Sequence, residues 1–205
     1  MPRVLEKKER SLGVKLSIRG DRASSPKSAL TRKPYKPGQH GKRFSKLSEF
    51  GTQLQEKQKI KFSYGVTERQ LKNIFAKAAV KKDISAIDAI TQSLETRLDN
   101  VVMRLGLVPS RSYARQLVSH GHFMVNNKRV STPSYRTKAG DVITIKDSSR
   151  GLIAFEDLKD TLKNYETPVW LSVDKDTFAG KVEFLPRDVD FPFNINLVVD
   201  YYSKK

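Results

Sequence analysis

Ser110-Arg-Ser-Tyr-Ala-Arg-Gln-Leu-Val-Ser-His-Gly-His-Phe-Met-Val-Asn-Asn-Lys-Arg-Val130 is a capped helix followed at once by a hairpin. Ser110, placed after Pro109, suits a helix N-cap, and Ala114, Leu117 and Val118 form an apolar stripe at helical spacing. Gly121 suits the left-handed residue that stops such a helix. Beyond it Phe123 and Val125 alternate with polar residues, and Asn126-Asn127 can take the positive φ angles of a two-residue turn before Lys128, Arg129 and Val130. Arg111 and Arg115 are four apart and share a face opposite much of the apolar stripe. Spacing alone leaves them either as ordinary solvated charges or as a cationic surface for an anion.

On the C-terminal side, the turn signal Ala139-Gly140-Asp141 precedes Val142, Ile143, Thr144 and Ile145, which read as a strand closing a small antiparallel sheet. Leu152 to Asn164 suits a helix, and apolar groups at Trp170 to Val173, Val182 to Leu185 and Leu197 to Tyr202 follow. On the N-terminal side, a helical stretch from about Ile84 to Leu105 turns Leu94, Leu98, Val101, Val102 and Leu105 inward. Glu95 and Asp99, spaced i, i+4 within it, could be mistaken for a paired acid and base; acids amid so many arginines suit ion pairing instead. Before that, Thr67 and Gln70 fit a capping box, with Leu71, Ile74, Phe75 and Ala78 as the buried face. From Ser45, Leu47, Phe50, Leu54 and Ile60 predict another helix, with Gly65 as its stop.

Residues 1–46 are rich in Lys and Arg and punctuated by Pro2, Pro26, Pro34 and Pro37. Such a segment buries little and is expected to be extended or locally looped, ordered mainly by a polyanion that neutralises its self-repulsion. The whole chain, 205 residues, carries 39 Lys and Arg against 22 Asp and Glu, a formal net charge of +17. That excess points to a nucleic acid. A membrane is the rival polyanion, but no apolar run approaches the roughly 20 residues of a spanning helix, and the first residues lack the apolar segment of a secretory signal. There is no Cys, which removes disulfides and thiolate metal sites.

Ser-Arg-x-x-Ala-Arg-Gln-Leu-Val-Ser-His-Gly-His followed by Val-Asn resembles the small RNA-binding module named after the S four ribosomal family. The module also occurs in pseudouridine synthases, some tRNA synthetases and heat-shock RNA-binding proteins. Further blocks carry the resemblance across nearly the whole chain: Pro37-Gly-Gln-His-Gly41, Leu54 to Gln70, and Leu94-Glu-Thr-Arg-Leu-Asp-Asn-Val-Val-Met-Arg-Leu-Gly106. Together they are similar to the bacterial-type S four family of small-subunit ribosomal proteins. Its zinc-binding members place Cys at positions occupied here by Ala23 and Ser28 and, approximately, by Glu6 and Glu9, so the chain resembles the zinc-free form and no metal or other cofactor is expected.

The resemblance implies an α+β fold: a basic arm (1–46), a mainly helical domain (47–93), an inserted RNA-binding module of helices on a short antiparallel sheet (94–150), and a C-terminal helix and strands (151–205) that return onto the helical domain. It implies RNA contacts at Lys42, Arg43, Lys46, Lys57, Arg69, Lys72, Arg97, Arg104, Arg111, Arg115, Gln116, Ser119, His120 and Lys128. The implied role is structural: binding small-subunit ribosomal RNA at a helical junction of its 5′ domain, nucleating assembly, touching ribosomal protein S five, and lying near the messenger channel in a cytoplasmic or organellar ribosome. Lys42, Arg43 and Lys46 match a basic group credited with unwinding messenger RNA, although Phe44 and Ser45 replace residues that are often basic or Pro. Neither a membrane nor a small-molecule substrate is expected as a partner.

No nucleophile elbow, Walker loop or dinucleotide fingerprint is present. His40, His120 and His122 are the only imidazoles; His120 and His122 flank a Gly at a spacing unsuited to two ligands from one helix face, and no acid or Cys cluster stands nearby. The match of Ser119-His120-Gly121 to the family's Ser-His-Gly implies that His120 caps the helix end and donates to RNA. An RNA-modifying enzyme carrying the module would need a catalytic domain that the four blocks leave no room for. A free-standing translational regulator remains compatible with the residues.

Overall fold

A computed structural model describes residues 6–16, 25–43, 46–81, 83–187 and 189–203. Ala23, Phe44, Ser45, Lys204 and Lys205 lie outside the described residues. Two compact units are present: residues 1–90 with 188–205, and residues 91–187.

Among its described residues, the basic arm of the first unit contains two short helices, α1 (Lys7–Leu12) and α2 (Ala29–Arg32). Charged side chains help to hold them. The buried Glu9 carboxylate accepts the Leu16 amide at 2.9 Å, and Arg10 Nε donates to the carbonyls of Lys33 and Tyr35 at 3.0 and 3.2 Å. The described parts of the arm, expected to be extended or locally looped, thus hold short helices, because charged side chains satisfy backbone groups that would otherwise need water.

Ser48 caps α3 (Glu49–Ser63), its hydroxyl accepting from the Gly51 amide. Its buried face differs from the expected stripe: Gln53, Glu56, Lys57 and Ile60 point inward, while Leu47 and Phe50 are exposed. The reason is α9 (Ile195–Ser203), which packs on α3 and supplies polar partners. Glu56 accepts the Asn194 amide at 2.8 Å, and Lys57 Nζ sits 4.5 Å from the Tyr201 ring centroid. The capping box of Thr67 and Gln70 opens α4 (Glu68–Val80), whose buried Leu71, Ile74, Phe75 and Ala78 are the residues that the spacing marks. Tyr202 of α9 stacks on Phe75 at 4.9 Å.

The stretch expected as one helix from Ile84 to Leu105 is two, α5 (Ala86–Glu95) and α6 (Leu98–Arg104). It breaks because Thr96 and Leu98 pair outward: the Thr137 amide donates to the Thr96 carbonyl at 2.9 Å, the Leu98 amide to that of Tyr135 at 2.8 Å, and Arg97 bridges Arg136.

In the second unit α7 (Arg111–His120) runs from the Ser110 cap to Gly121 at φ 76°, then enters β1 (Phe123–Val125). Asn126 and Asn127, at φ 49° and 62°, make the turn into β2 (Lys128–Arg129), and β3 (Val142–Ile145) pairs with β1 in the register Phe123↔Ile145. After β3, the segment expected as one helix over Leu152 to Asn164 holds a 3-10 turn at Ile153–Phe155 and then α8 (Leu158–Lys163).

The expected return of all of 151–205 to the helical domain is corrected by the next two strands. Here β4 (Leu171–Val173) and β5 (Gly180–Val182) extend the module's own sheet, with Val142↔Lys181 in register and the order β2-β1-β3-β5-β4. Only the residues from 189 onward belong with the helices. Strands β4 and β5 stay because Trp170, Leu171 and Val182 complete a core shared with Leu98, Val102, Leu105, Leu117, Val118, Phe123 and Ile145. Gly180 permits that closeness: a Cβ there would lie 2.3 Å from a Leu105 methyl.

Candidate nucleic-acid interface

Two buried carboxylates organise the helical face of the second unit. Asp99 receives both Arg97 Nε and Nη2, at 3.0 and 2.8 Å, and also Arg115 Nε at 3.0 Å. Glu95, fully buried, receives Arg104 through Nε and Nη2, each at 3.1 Å, and the Asn100 amide at 2.8 Å. Asn100 Oδ1 in turn accepts Arg111 Nε at 2.7 Å. Glu95 and Asp99 therefore act as anchors for guanidinium groups and hold no cleft in which to act as acid and base. The reason this assembles is local: α6 and α7 pack on each other, and Arg111 and Arg115 lie one turn apart facing Asp99 and Asn100. With four guanidiniums against two carboxylates, the network keeps a net positive charge. A guanidinium cannot be deprotonated, so each keeps its charge while its orientation is set from within.

The expected contact residues divide by position. Arg97 and Lys57 are interior: Arg97 is 6% exposed and bound to Asp99, and Lys57 is 5% exposed and bound to Glu68 at 2.6 Å. Their charges hold the fold, because an ammonium so enclosed must keep its counter-ion. Arg104, Arg111 and Arg115 are half-buried and braced. On the outer side of α7, Gln116, Ser119 and His120 are exposed at helical spacing, and Lys128 is exposed on β2. In the first unit Arg69 and Lys72 are exposed on α4, and Lys42, Arg43 and Lys46 are exposed in the arm, with the Lys42 ammonium 5.4 Å from the Tyr35 ring centroid.

Three basic side chains on this module, His122, Arg129 and Lys146, stand outside the set that the resemblance implies. Strand alternation could have found them, because Phe123 inward puts His122 outward, on the face that receives Arg129 and Lys146 from the neighbouring strands. Burial lowers the His122 pKa below the ordinary imidazole value, and the nearby charges of His120, Arg129 and Lys146 lower it further.

The residues standing where some S four proteins carry zinc ligands do not suit the metal. The Glu9 carboxylate is engaged with a backbone amide and Ser28 offers only a buried hydroxyl. Among the described residues no group of three or more His, Asp or Glu is placed to hold a metal, and no helix is long and apolar enough to cross a membrane.

The sequence matches the family described as Ribosomal protein S4/S9 N-terminal domain over residues 5–95 and the S4 domain over residues 96–143. It is 47% identical to the small ribosomal subunit protein uS4 of Acetivibrio thermocellus over 94% of this chain and 93% of that protein. The uS4 protein of Caldicellulosiruptor bescii is 46% identical over 94% and 93%, and that of Desulforapulum autotrophicum 45% over 93% and 92%. With the two matched segments together spanning residues 5–143 and identity near one half over almost the full length, the chain belongs to the uS4 family of small ribosomal subunit proteins.

Proposed function

We propose that this protein is a non-catalytic, structural constituent of the small ribosomal subunit that binds ribosomal RNA through the helix-and-hairpin face of its second unit. The observation that carries the reading is the braced set of Arg104, Arg111 and Arg115, with Gln116, Ser119, His120 and Lys128 on the same module. Arg binds phosphate through a planar fork, and a fork already oriented by Glu95, Asn100 and Asp99 loses less rotamer entropy on contact. Few aromatic platforms accompany these cations, which suits recognition of RNA shape and backbone above base edges. The finer assignment follows the family resemblance: a helical junction of the 5′ domain, early assembly, a contact with ribosomal protein S five, and a place near the messenger channel with a contribution to accuracy. In it Lys42, Arg43, Lys46, Arg69 and Lys72 add phosphate contacts, and a cytoplasmic ribosome is the setting.

Two measurements test this. The protein should co-sediment with small subunits through a high-salt wash; sedimentation only as free protein would move the reading to a regulator outside the ribosome. Its affinity for small-subunit ribosomal RNA should fall with salt at a log–log slope of roughly −4 to −5 if about six phosphates are neutralised. A slope near zero rejects an electrostatic mechanism.

A further inference from the structure

The sheet of the second unit has a second cationic cluster, on the face turned away from the core. Phe123, Val125, Ile143 and Ile145 are buried, so alternation sends His122, Met124, Thr144 and Lys146 to the opposite face. Register then sets the neighbours. The Lys146 amide donates to the His122 carbonyl at 2.9 Å, which makes the two residues cross-strand partners, and Arg129 pairs with Met124 on the other side of β1. Arg129 leans over Gly121 and donates to the His120 carbonyl at 3.2 Å, so the end of α7 joins the cluster. The His120 and His122 rings meet edge to face with centroids 5.9 Å apart.

Two imidazoles, a guanidinium and an ammonium thus converge, and among the described residues none of the four is ion-paired to a carboxylate. The remaining charged groups of the adjoining turn do not supply one: Asp147 is exposed and bonded to Arg150 at 3.2 Å. Ser149, from the same turn, holds His122 Nδ1 at 3.0 Å and fixes the ring, leaving Nε2 as the nitrogen for a ligand. Like charges assembled without a counter-ion destabilise one another, and a bound anion removes that cost.

We propose that His122, Arg129 and Lys146, with His120 at their rim, form a phosphate subsite for RNA on the outward face of the sheet, where the phosphodiester is held by a protonated His122. This subsite rests on the RNA-binding reading above and adds to it a region of the module distinct from the arginines of α6 and α7. Binding then takes up a proton. In the free protein burial and the surrounding cations oppose the imidazolium; a phosphate placed among them reverses the sign of the local field and favours it.

The experiment is filter binding of the full chain to a small-subunit ribosomal RNA transcript at fixed salt between pH 8.0 and 6.0. Affinity of the unaltered protein should rise between about three- and tenfold as pH falls, the change that a pKa displaced by roughly half to one unit produces. His122→Gln, which preserves a polar group beside Ser149, should flatten that dependence, while His40→Gln should keep it. Lys146→Gln removes one opposing charge and should move the rise to higher pH. Circular dichroism checks that each variant is folded. A pH-independent affinity in the unaltered protein, or an unchanged rise in His122→Gln, overturns the subsite while leaving salt-dependent binding intact. Absence of binding at every pH overturns the RNA reading itself, and the subsite with it.

Discussion

Replacing Asp99 by Ala is the most direct probe of how the second unit holds its arginines. The carboxylate is 2% exposed and takes four hydrogen bonds, two from Arg97 and two from Arg115. Its loss leaves the Arg97 guanidinium, 6% exposed, in the interior without a counter-charge. Breaking one side of a buried ion pair costs about 3–5 kcal/mol, far more than the pair contributes when compared with apolar substitutes. For a unit of about a hundred residues each kcal/mol moves the midpoint by roughly 4–8 °C, so even the lower figure implies a drop of more than about 10 °C. The single tryptophan, Trp170, is buried in the core of this unit and reports its unfolding by fluorescence. Thermal and urea transitions followed at Trp170 give the loss directly, and Asp99→Asn, which keeps the shape and one acceptor, should fall between the two. A loss under about 1 kcal/mol, the scale of a solvated surface pair, would refute the claim that Asp99 is an interior anchor.

Three further outcomes are expected. Thr67→Ala removes the hydroxyl that accepts the Gln70 amide and should cost about 1 kcal/mol, read by urea titration of the helical circular dichroism signal. Gly121→Ala places a side chain at φ 76°, with its Cβ 2.2 Å from Arg129 Nε, so stability should fall by about 1 kcal/mol or more and RNA affinity should fall with it as Arg129 is displaced; unchanged binding would separate Arg129 from the RNA surface. Burial pushes the Glu68 carboxyl up, but the hydrogen bonds and charges of Lys57 and Lys61 prevail and hold its pKa below the ordinary value. A carboxyl lowered in the folded state stabilises above its unfolded pKa and loses that contribution as pH falls through the folded one. Urea midpoints should therefore drop on acidification below about pH 4.5, less so in Glu68→Gln.

The helix and hairpin of residues 110–130 were legible before any fold was known, because every device in them acts within a few residues. Ser110 accepts from Tyr113, Gly121 takes the left-handed conformation, and Asn126-Asn127 take positive φ. The capping box at Thr67 is equally local. The net charge of +17 and the several family blocks likewise point to a polyanionic partner from the residues alone.

What stayed hidden depends on partners far along the chain. Lys57 looked like a phosphate ligand, but its ammonium meets Tyr201, 144 residues away, and Glu56 meets Asn194 across 138. The buried face of α3 is polar for that reason, and no helical period can announce it. Arg97 was interior because the chain breaks at Thr96–Leu98 to pair with residues beyond β2. Strands β4 and β5 joined the sheet through β3, where residues near 142 meet residues near 181. Sequence alone determined the capped helix, the tight turn and the sign of the partner's charge, since backbone sterics, capping and composition require no distant contact. Tertiary structure decided which cations stay available for RNA and which are enclosed, since a buried charge persists only where the fold delivers its counter-ion.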